Sequence, residues 1–267
     1  MSTHDQQLSL INEAIAQLSY FAKLYGIESL FLVGDYCREL YLDTLWRVNK
    51  LDVVSVFDEQ HIQLGYLFAS EVLKTSAKVD NITKTASVVY KNDAGEIEII
   101  FQSPSPKKYM RDDEVVLWMQ NNDIDETPML HNLYGRQFTI NTLAYAIDSN
   151  DVYDATDRAM EDLTHKTIRS LLPSDMLVKY DPLSIFQAME LSLVHEFHID
   201  MDMKKAMRNT DAIFKSLSSD RIAKEIIRIL HIDPEKALEM IKTYEFGKML
   251  SIPEIKEYLK KEVKNDE

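Results

Sequence analysis

Ser29-Leu30-Phe31-Leu32-Val33-Gly34-Asp35-Tyr36-Cys37-Arg38-Glu39-Leu40 sets the reading of the whole chain. Ser29 to Val33 is a short apolar run of strand length, Gly34 interrupts it, and Tyr36 to Leu45 has helical character, so a strand, a turn and a helix follow one another. Upstream, Leu8, Ile11, Ala14, Ile15, Leu18, Phe21, Ala22 and Tyr25 recur at helical spacing, with Gly26 where a helix C-cap belongs. Downstream, Leu51 to Phe57 is a β-branched run and Ile62 to Leu73 returns to helical spacing. Ala86 to Tyr90 and Ile97 to Phe101 then flank Asn92-Asp93-Ala94-Gly95, a hairpin signal. The first half reads as mixed α/β.

From about Asp157 onward strand signals fade. Helical periodicity recurs in Asp181 to Val194, Arg221 to Leu230, Pro234 to Tyr244 and Pro253 to Val263, which predicts an all-helical second half after about residue 160. The polar turn Asp148-Ser149-Asn150-Asp151 suggests a boundary, giving domains 1–150 and 151–267.

The chain has 267 residues, 45% of them hydrophobic, enough for one large domain or two modest ones. Met1-Ser2-Thr3-His4-Asp5 lacks the marks of a secretory signal, and no segment is apolar for the length of a membrane span, so no membrane insertion is expected. Cys37 is the single cysteine, which excludes an intramolecular disulfide and a thiolate zinc cage and fits a cytoplasmic location. The formal charge of −14 opposes strong non-specific binding of extended nucleic acid, which needs Lys and Arg against phosphate. The candidate basic patches are Lys107, Lys108 and Arg111 around Tyr109, and Lys256, Lys260, Lys261 and Lys264, although solvated surface charge is the simpler reading of each.

Several segments, in order and at matching spacing over about residues 26 to 230, resemble the class II nucleotidyltransferases, the family of tRNA CCA-adding enzymes and bacterial poly(A) polymerases. Gly34-Asp35-Tyr36-Cys37-Arg38-Glu39 resembles that family's opening of two glycines, two variable residues, Arg and Asp. Asp52 follows on a strand, and Gly135-Arg136-Gln137-Phe138-Thr139-Ile140-Asn141-Thr142-Leu143-Ala144-Tyr145 resembles Arg-Arg-Asp-Phe-Thr-Ile-Asn-Ala-Leu-Ala-Tyr. Asp154 to Leu163 with Ile168-Arg169 resembles the next motif, Tyr180-Asp181-Pro182-Leu183-Ser184 resembles Glu-Asp-Pro-Leu-Arg, and Ser218 to Ile222 resembles Ser-x-x-Arg-Ile. The resemblance implies an α/β head with a small mixed β-sheet, the nucleotidyltransferase fold, followed by an all-α neck that cradles the incoming nucleotide. It also implies that most of the family's RNA-holding body and tail is missing.

Nucleotidyl transfer uses two metal ions to activate the attacking hydroxyl and neutralise the leaving pyrophosphate, and those metals need carboxylates. Alternate strand residues share a face, so an Asp-x-Asp pair supplies two of them. Here the triplet is Lys50-Leu51-Asp52, so an ammonium is expected to pair with Asp52, and Glu98 is the candidate third carboxylate. Asp52 and Glu98 are thus the candidate catalytic and metal-binding residues, with Mg2+ the cofactor if activity remains; both also read as polar strand residues without metal. The nucleotide-binding candidates implied by the resemblance are Gly34, Arg38, Arg136, Asn141 and Asp181. Arg38 reads equally well as a structural partner of Glu39 or Asp35, and Asn141 as a capping or core-bonding amide. The departures are Asp35 for the second glycine, Gln137 for Asp, and Ser184 for the base-reading Arg, with Gln187 and Glu190 where further Arg residues are common. His195, Glu196, His198, Asp200 and Asp202 cluster in sequence, but the histidine spacing is wrong for a zinc helix and the segment resembles the family's Gly-Phe loop.

The sequence therefore reads as a tRNA nucleotidyltransferase/poly(A) polymerase-like protein, catalytically impaired or inactive, retained as a nucleotide-, RNA- or protein-binding module. Two alternatives stay open: an active metal-dependent nucleotidyltransferase extending an RNA 3′ end, and a protein-interaction module acting through the neck helices.

Overall fold

The computed structural model describes residues 2–55, 60–104, 108–124, 127–208 and 215–265, and the side chains of these except at 108 and 260–265. The chain divides into two compact units, 1–163 and 164–267.

The first unit is built on a seven-stranded mixed sheet of order β3-β4-β5-β2-β1-β6-β7. Its strands are β1 (Leu30–Val33), β2 (Lys50–Ser55), β3 (Lys78–Asp80), β4 (Thr85–Asn92), β5 (Gly95–Gln102), β6 (Leu143–Ala146) and β7 (Val152–Asp154). Strand β1 pairs antiparallel with both β2 and β6, while the central β2 pairs parallel with β5. The hairpin read from Asn92 to Gly95 is present, with Asn92 opposite Gly95. The strand read as Leu51 to Phe57 is present through Ser55, and its last residues lie outside the described ones. The Asp148 to Asp151 turn joins β6 to β7 within this unit, closed by the Ala146 carbonyl accepting from the Asn150 amide.

Helix α1 (Thr3–Tyr25) begins with a reciprocal Ser2 and Asp5 capping box and ends at Gly26 in the left-handed region. Its Leu10, Ile11, Leu18 and Phe21 are buried, and Phe21 stacks edge-on against Phe68, which in turn contacts Phe101 of β5. Along β5, Ile97, Ile99 and Phe101 are buried while Glu96 and Glu98 face water, the period-two alternation of a sheet with one covered face. Helix α2 (Asp35–Tyr41) follows β1 through Gly34, and α3 (His61–Leu67) runs into a π-helical turn at Phe68–Val72. Helices α4 (Asp113–Asn121), α5 (Pro128–Tyr134) and α6 (Ala159–Thr164) complete the order.

The second unit carries α7 (Ser174–Tyr180), α8 (Ser184–His195), α9 (Met201–Met207), α10 (Ser219–Leu230), α11 (Pro234–Thr243) and α12 (Pro253–Asn265). The expectation of helix alone after about residue 160 needs correction. Thr167–Ile168 and His198–Ile199 pair as a short parallel ladder, β8 and β9. The pairing is fixed by side chains as well as backbone, since Thr167 Oγ1 lies 2.9 Å from His198 Nε2.

Candidate functional site

The head site forms where the β1 turn, β2 and the 135–141 segment meet. Gly34 has φ 71° and ψ −126°, a backbone state that side chains disfavour. A Cβ there would also fall 2.8 Å from Arg136 Nη1 and 3.5 Å from Asp52 Oδ2, so the bare Cα lets the Arg136 guanidinium and the Asp52 carboxylate approach the turn. Asp52 is opposite Val33 in the antiparallel ladder, and its side chain is only 12% exposed. It therefore points into the cleft beside Gly34.

Lys50 is on the same face as Asp52, and its Nζ stands 3.3 Å from Oδ1 and 3.2 Å from Oδ2. Across the parallel ladder Glu98 is level with Lys50, and Ile100 is level with Asp52. Glu98 thus shares this face as the cross-ladder neighbour of Lys50, and it is exposed. Among the described residues no group of three or more His, Cys, Asp and Glu is arranged to hold a metal ion. The donors beside Gly34 do not fit a divalent cation, because the Asp52 carboxylate is already bridged by the Lys50 ammonium and the Asp35 carboxylate is paired with Arg38.

Arg38 is buried and fully committed. It donates from Nη1 to Asn141 Oδ1 at 2.7 Å and from Nε to Glu39 Oε1 at 3.0 Å, and forms ion pairs with Asp35 at 3.0 Å and Glu39 at 2.9 Å. Glu39 accepts a further bond from Thr44 Oγ1 at 2.7 Å. Asn141 therefore binds Arg38 in this structure. Burial raises the Asp35 pKa, but Arg38, then Lys50 and Arg136, pull the carboxyl below its ordinary value on balance. For Arg136 desolvation lowers the guanidinium pKa, opposed chiefly by Asp52. Burial pushes the Cys37 thiol, behind the same turn, up to about 12, so it is an inert hydrogen-bond donor to the Leu32 carbonyl.

The backbone that aims Arg136 is strained. Gln137 has φ 67°, and the Phe138 amide donates to the Arg136 carbonyl at 2.8 Å, closing a γ-turn with a positive-φ centre. Asn132, one turn earlier on α5, accepts from Arg136 Nε at 3.1 Å. The sequence reading missed Asn132; its only signal was the i, i+4 spacing to Arg136 across a helix end.

In the second unit, Asp181 caps α7 and its carbonyl accepts from the Ser184 amide at 3.0 Å. Ser184 is wholly buried. Its Oγ, like Gln187 Oε1 three residues on, has no hydrogen-bond partner among the described residues. Glu190 pairs with Arg228 of α10 at 2.9 Å, and Glu225 pairs with Arg228 at 2.8 Å and Arg221 at 2.9 Å. The α8 row, where the resemblance leads one to expect cations, thus holds a hydroxyl, an amide and a neutralised carboxylate. The histidine and acid cluster is structural: Asp200 caps α9 through the Met203 amide and meets Arg169, and His198 meets Thr167. Glu196 ends α8 in the left-handed region at φ 55°, where a glycine would sit without strain.

Of the basic patches, Tyr109 donates to the Gly135 carbonyl at 3.1 Å. Lys107 lies outside the described residues, as do the side chains of Lys108, Lys260, Lys261 and Lys264. Among the described residues no helix is long and apolar enough to cross a membrane.

Residues 30–169 match the model of the poly(A) polymerase head domain. The chain is 30% identical over 116 residues to tRNA nucleotidyltransferase cca1 of Schizosaccharomyces pombe, covering 42% of this chain and 23% of that protein. It is 29% identical over 118 residues to cca2 of the same yeast, covering 42% and 24%. The matched region thus spans about a quarter of these relatives. Among solved structures, a CCA-adding enzyme in complex with CTP superposes with TM-score 0.69 at 19% identity, over 94% of this chain and 56% of that one. The Thermotoga maritima CCA-adding enzyme complexed with tRNA superposes with TM-score 0.65 at 18% identity, over 94% and 55%.

Proposed function

Since the chain belongs to the poly(A) polymerase head-domain family of class II nucleotidyltransferases, we propose that it is a tRNA nucleotidyltransferase/poly(A) polymerase-like protein whose transfer step is impaired and whose role is binding. The observation that carries this reading is the Lys50 ammonium within 3.3 Å of both Asp52 oxygens. Transfer to a 3′ hydroxyl develops charge that two metals normally neutralise. A carboxylate bridged by an ammonium has little left to offer a metal, and the ammonium itself repels one.

The ligand class that the fold suggests is a nucleoside triphosphate or an RNA end, held weakly. Solved neighbours are complexes with CTP and with tRNA, and the head turn and Arg136 retain part of that frame. Two features hold the affinity down: the net charge of −14 opposes polyanions, and the α8 row lacks the cations that would fix a base edge. Ser184 is too short to reach where an Arg would, so discrimination among bases is lost along with affinity. A cytoplasmic location belongs to the same proposal.

The test is incubation of the purified protein with labelled ATP or CTP, Mg2+ or Mn2+, and tRNA lacking its 3′ end. We expect no extension. Robust metal-dependent extension overturns the reading in favour of an active enzyme using Asp52 and Glu98. Calorimetry with each of the four ribonucleoside triphosphates completes it: weak, base-indifferent heats are expected, and tight binding of one alone would show that other residues supply the template.

A further inference from the structure

We infer that Lys50 is a resident counter-ion of the head cleft, taking the charge-balancing role of a divalent metal, so that its ammonium makes this face of the sheet reject one. The inference rests on the proposed impairment and adds its cause and its reversibility. Three observations carry it. Lys50, Asp52 and Glu98 share one face by strand alternation and parallel register, so the backbone frame for a cluster of carboxylates is intact apart from position 50. The Lys50 ammonium touches both oxygens of Asp52, and is therefore seated rather than merely nearby. The Arg136 guanidinium approaches the same carboxylate from the Gly34 side, so Asp52 is flanked by cations on two sides.

The neighbouring charges do not change this conclusion. Asp35 and Glu39 are occupied by Arg38, and Glu98 has Lys50 as its level neighbour on β2. Replacing Lys50 by a carboxylate removes one positive charge and adds one negative charge between Asp52 and Glu98. That converts a self-neutralised face into one that needs a cation.

The test reads metal occupancy directly, by Mn2+ electron paramagnetic resonance and by melting temperature with and without Mg2+ or Mn2+. The native protein should leave Mn2+ free and melt at the same temperature with or without metal. Lys50→Asp should bind Mn2+ and gain several degrees of melting temperature at saturating metal, roughly what a ligand at 100 times its Kd confers on a domain of this size. Glu98→Gln in that background should weaken Mn2+ binding about tenfold or more. Lys50→Ala, which adds no repulsion to the metal-free fold, should bind Mn2+ more weakly than Lys50→Asp but better than native. Mn2+ bound at the cleft by native protein overturns the inference. So does a folded Lys50→Asp or Lys50→Ala protein, judged by circular dichroism, that ignores metal. If the native protein neither extends tRNA nor binds Mn2+ and the folded variants also ignore metal, the inference fails and the proposed function stands. Metal-dependent extension by the native chain sinks both.

Discussion

The head cleft and the α8 row have both departed from the residues that a nucleotide-transferring relative would use, but in different ways. In the head each departure is answered from within: Lys50 satisfies Asp52, and Arg38 satisfies Asp35, Glu39 and Asn141. In the neck Glu190 is answered by Arg228, while Ser184 Oγ and Gln187 Oε1 are buried without hydrogen-bond partners among the described residues. A site can lose its ligand by replacing it or by vacating it. The first leaves a stabilising network, the second a local cost.

The largest expected effect tests the head side of that contrast. Arg38→Ala removes the cation paired with the buried Glu39, whose side chain is 3% exposed, and with Asp35, and should destabilise the protein by about 3–5 kcal/mol in denaturant titration. A loss under about 1 kcal/mol would mean that the network contributes little. On the neck side the sign reverses: Ser184→Ala with Gln187→Met removes two unsatisfied polar atoms and should stabilise by about 1–3 kcal/mol. If this pair destabilises as Arg38→Ala does, the neck row is not vacated. Glu196→Gly relieves a left-handed helix end and should add about 0.5–1 kcal/mol, since its Lys236 partner lies 3.5 Å away on the exposed surface.

The smallest effect concerns acid. The Asp35 pKa is lowered in the folded state, so its contribution is fully present above the unfolded value near 3.8 and is lost as pH falls through the lower folded value. Stability should therefore hold from pH 7 to 5 on this account and fall below about pH 4. Asp35→Asn should flatten that acid limb in melts taken across pH; an unchanged limb would assign it to other carboxylates.

Much of this contrast was legible beforehand. Period-two alternation placed Lys50 beside Asp52, the Asn92 to Gly95 turn fixed the β4 and β5 register, and the glycine after β1 marked the turn that Arg136 approaches. Other parts depend on contacts that local pattern does not encode. Asn141 lies 103 residues from Arg38, so nothing near either one announced their bond. The β8 and β9 ladder is two residues per strand, below the length at which alternation exists. Composition also gave no sign that Ser184 and Gln187 would be buried unpartnered, because each is polar and a surface position would have suited either.

The sheet order has a consequence for how the molecule comes into being. Its interior strand β1 emerges early in synthesis, yet one of its two neighbours, β6, ends at Ala146. Long-range pairing of this kind is slow, and it cannot begin until both partners exist. On the ribosome β1 must wait with one edge open, and the Arg38 to Asn141 bond cannot form until residue 141 has emerged. A stalled or truncated chain ending before residue 146 would display that edge to its neighbours, which makes aggregation of such fragments, rather than partial folding, their expected fate.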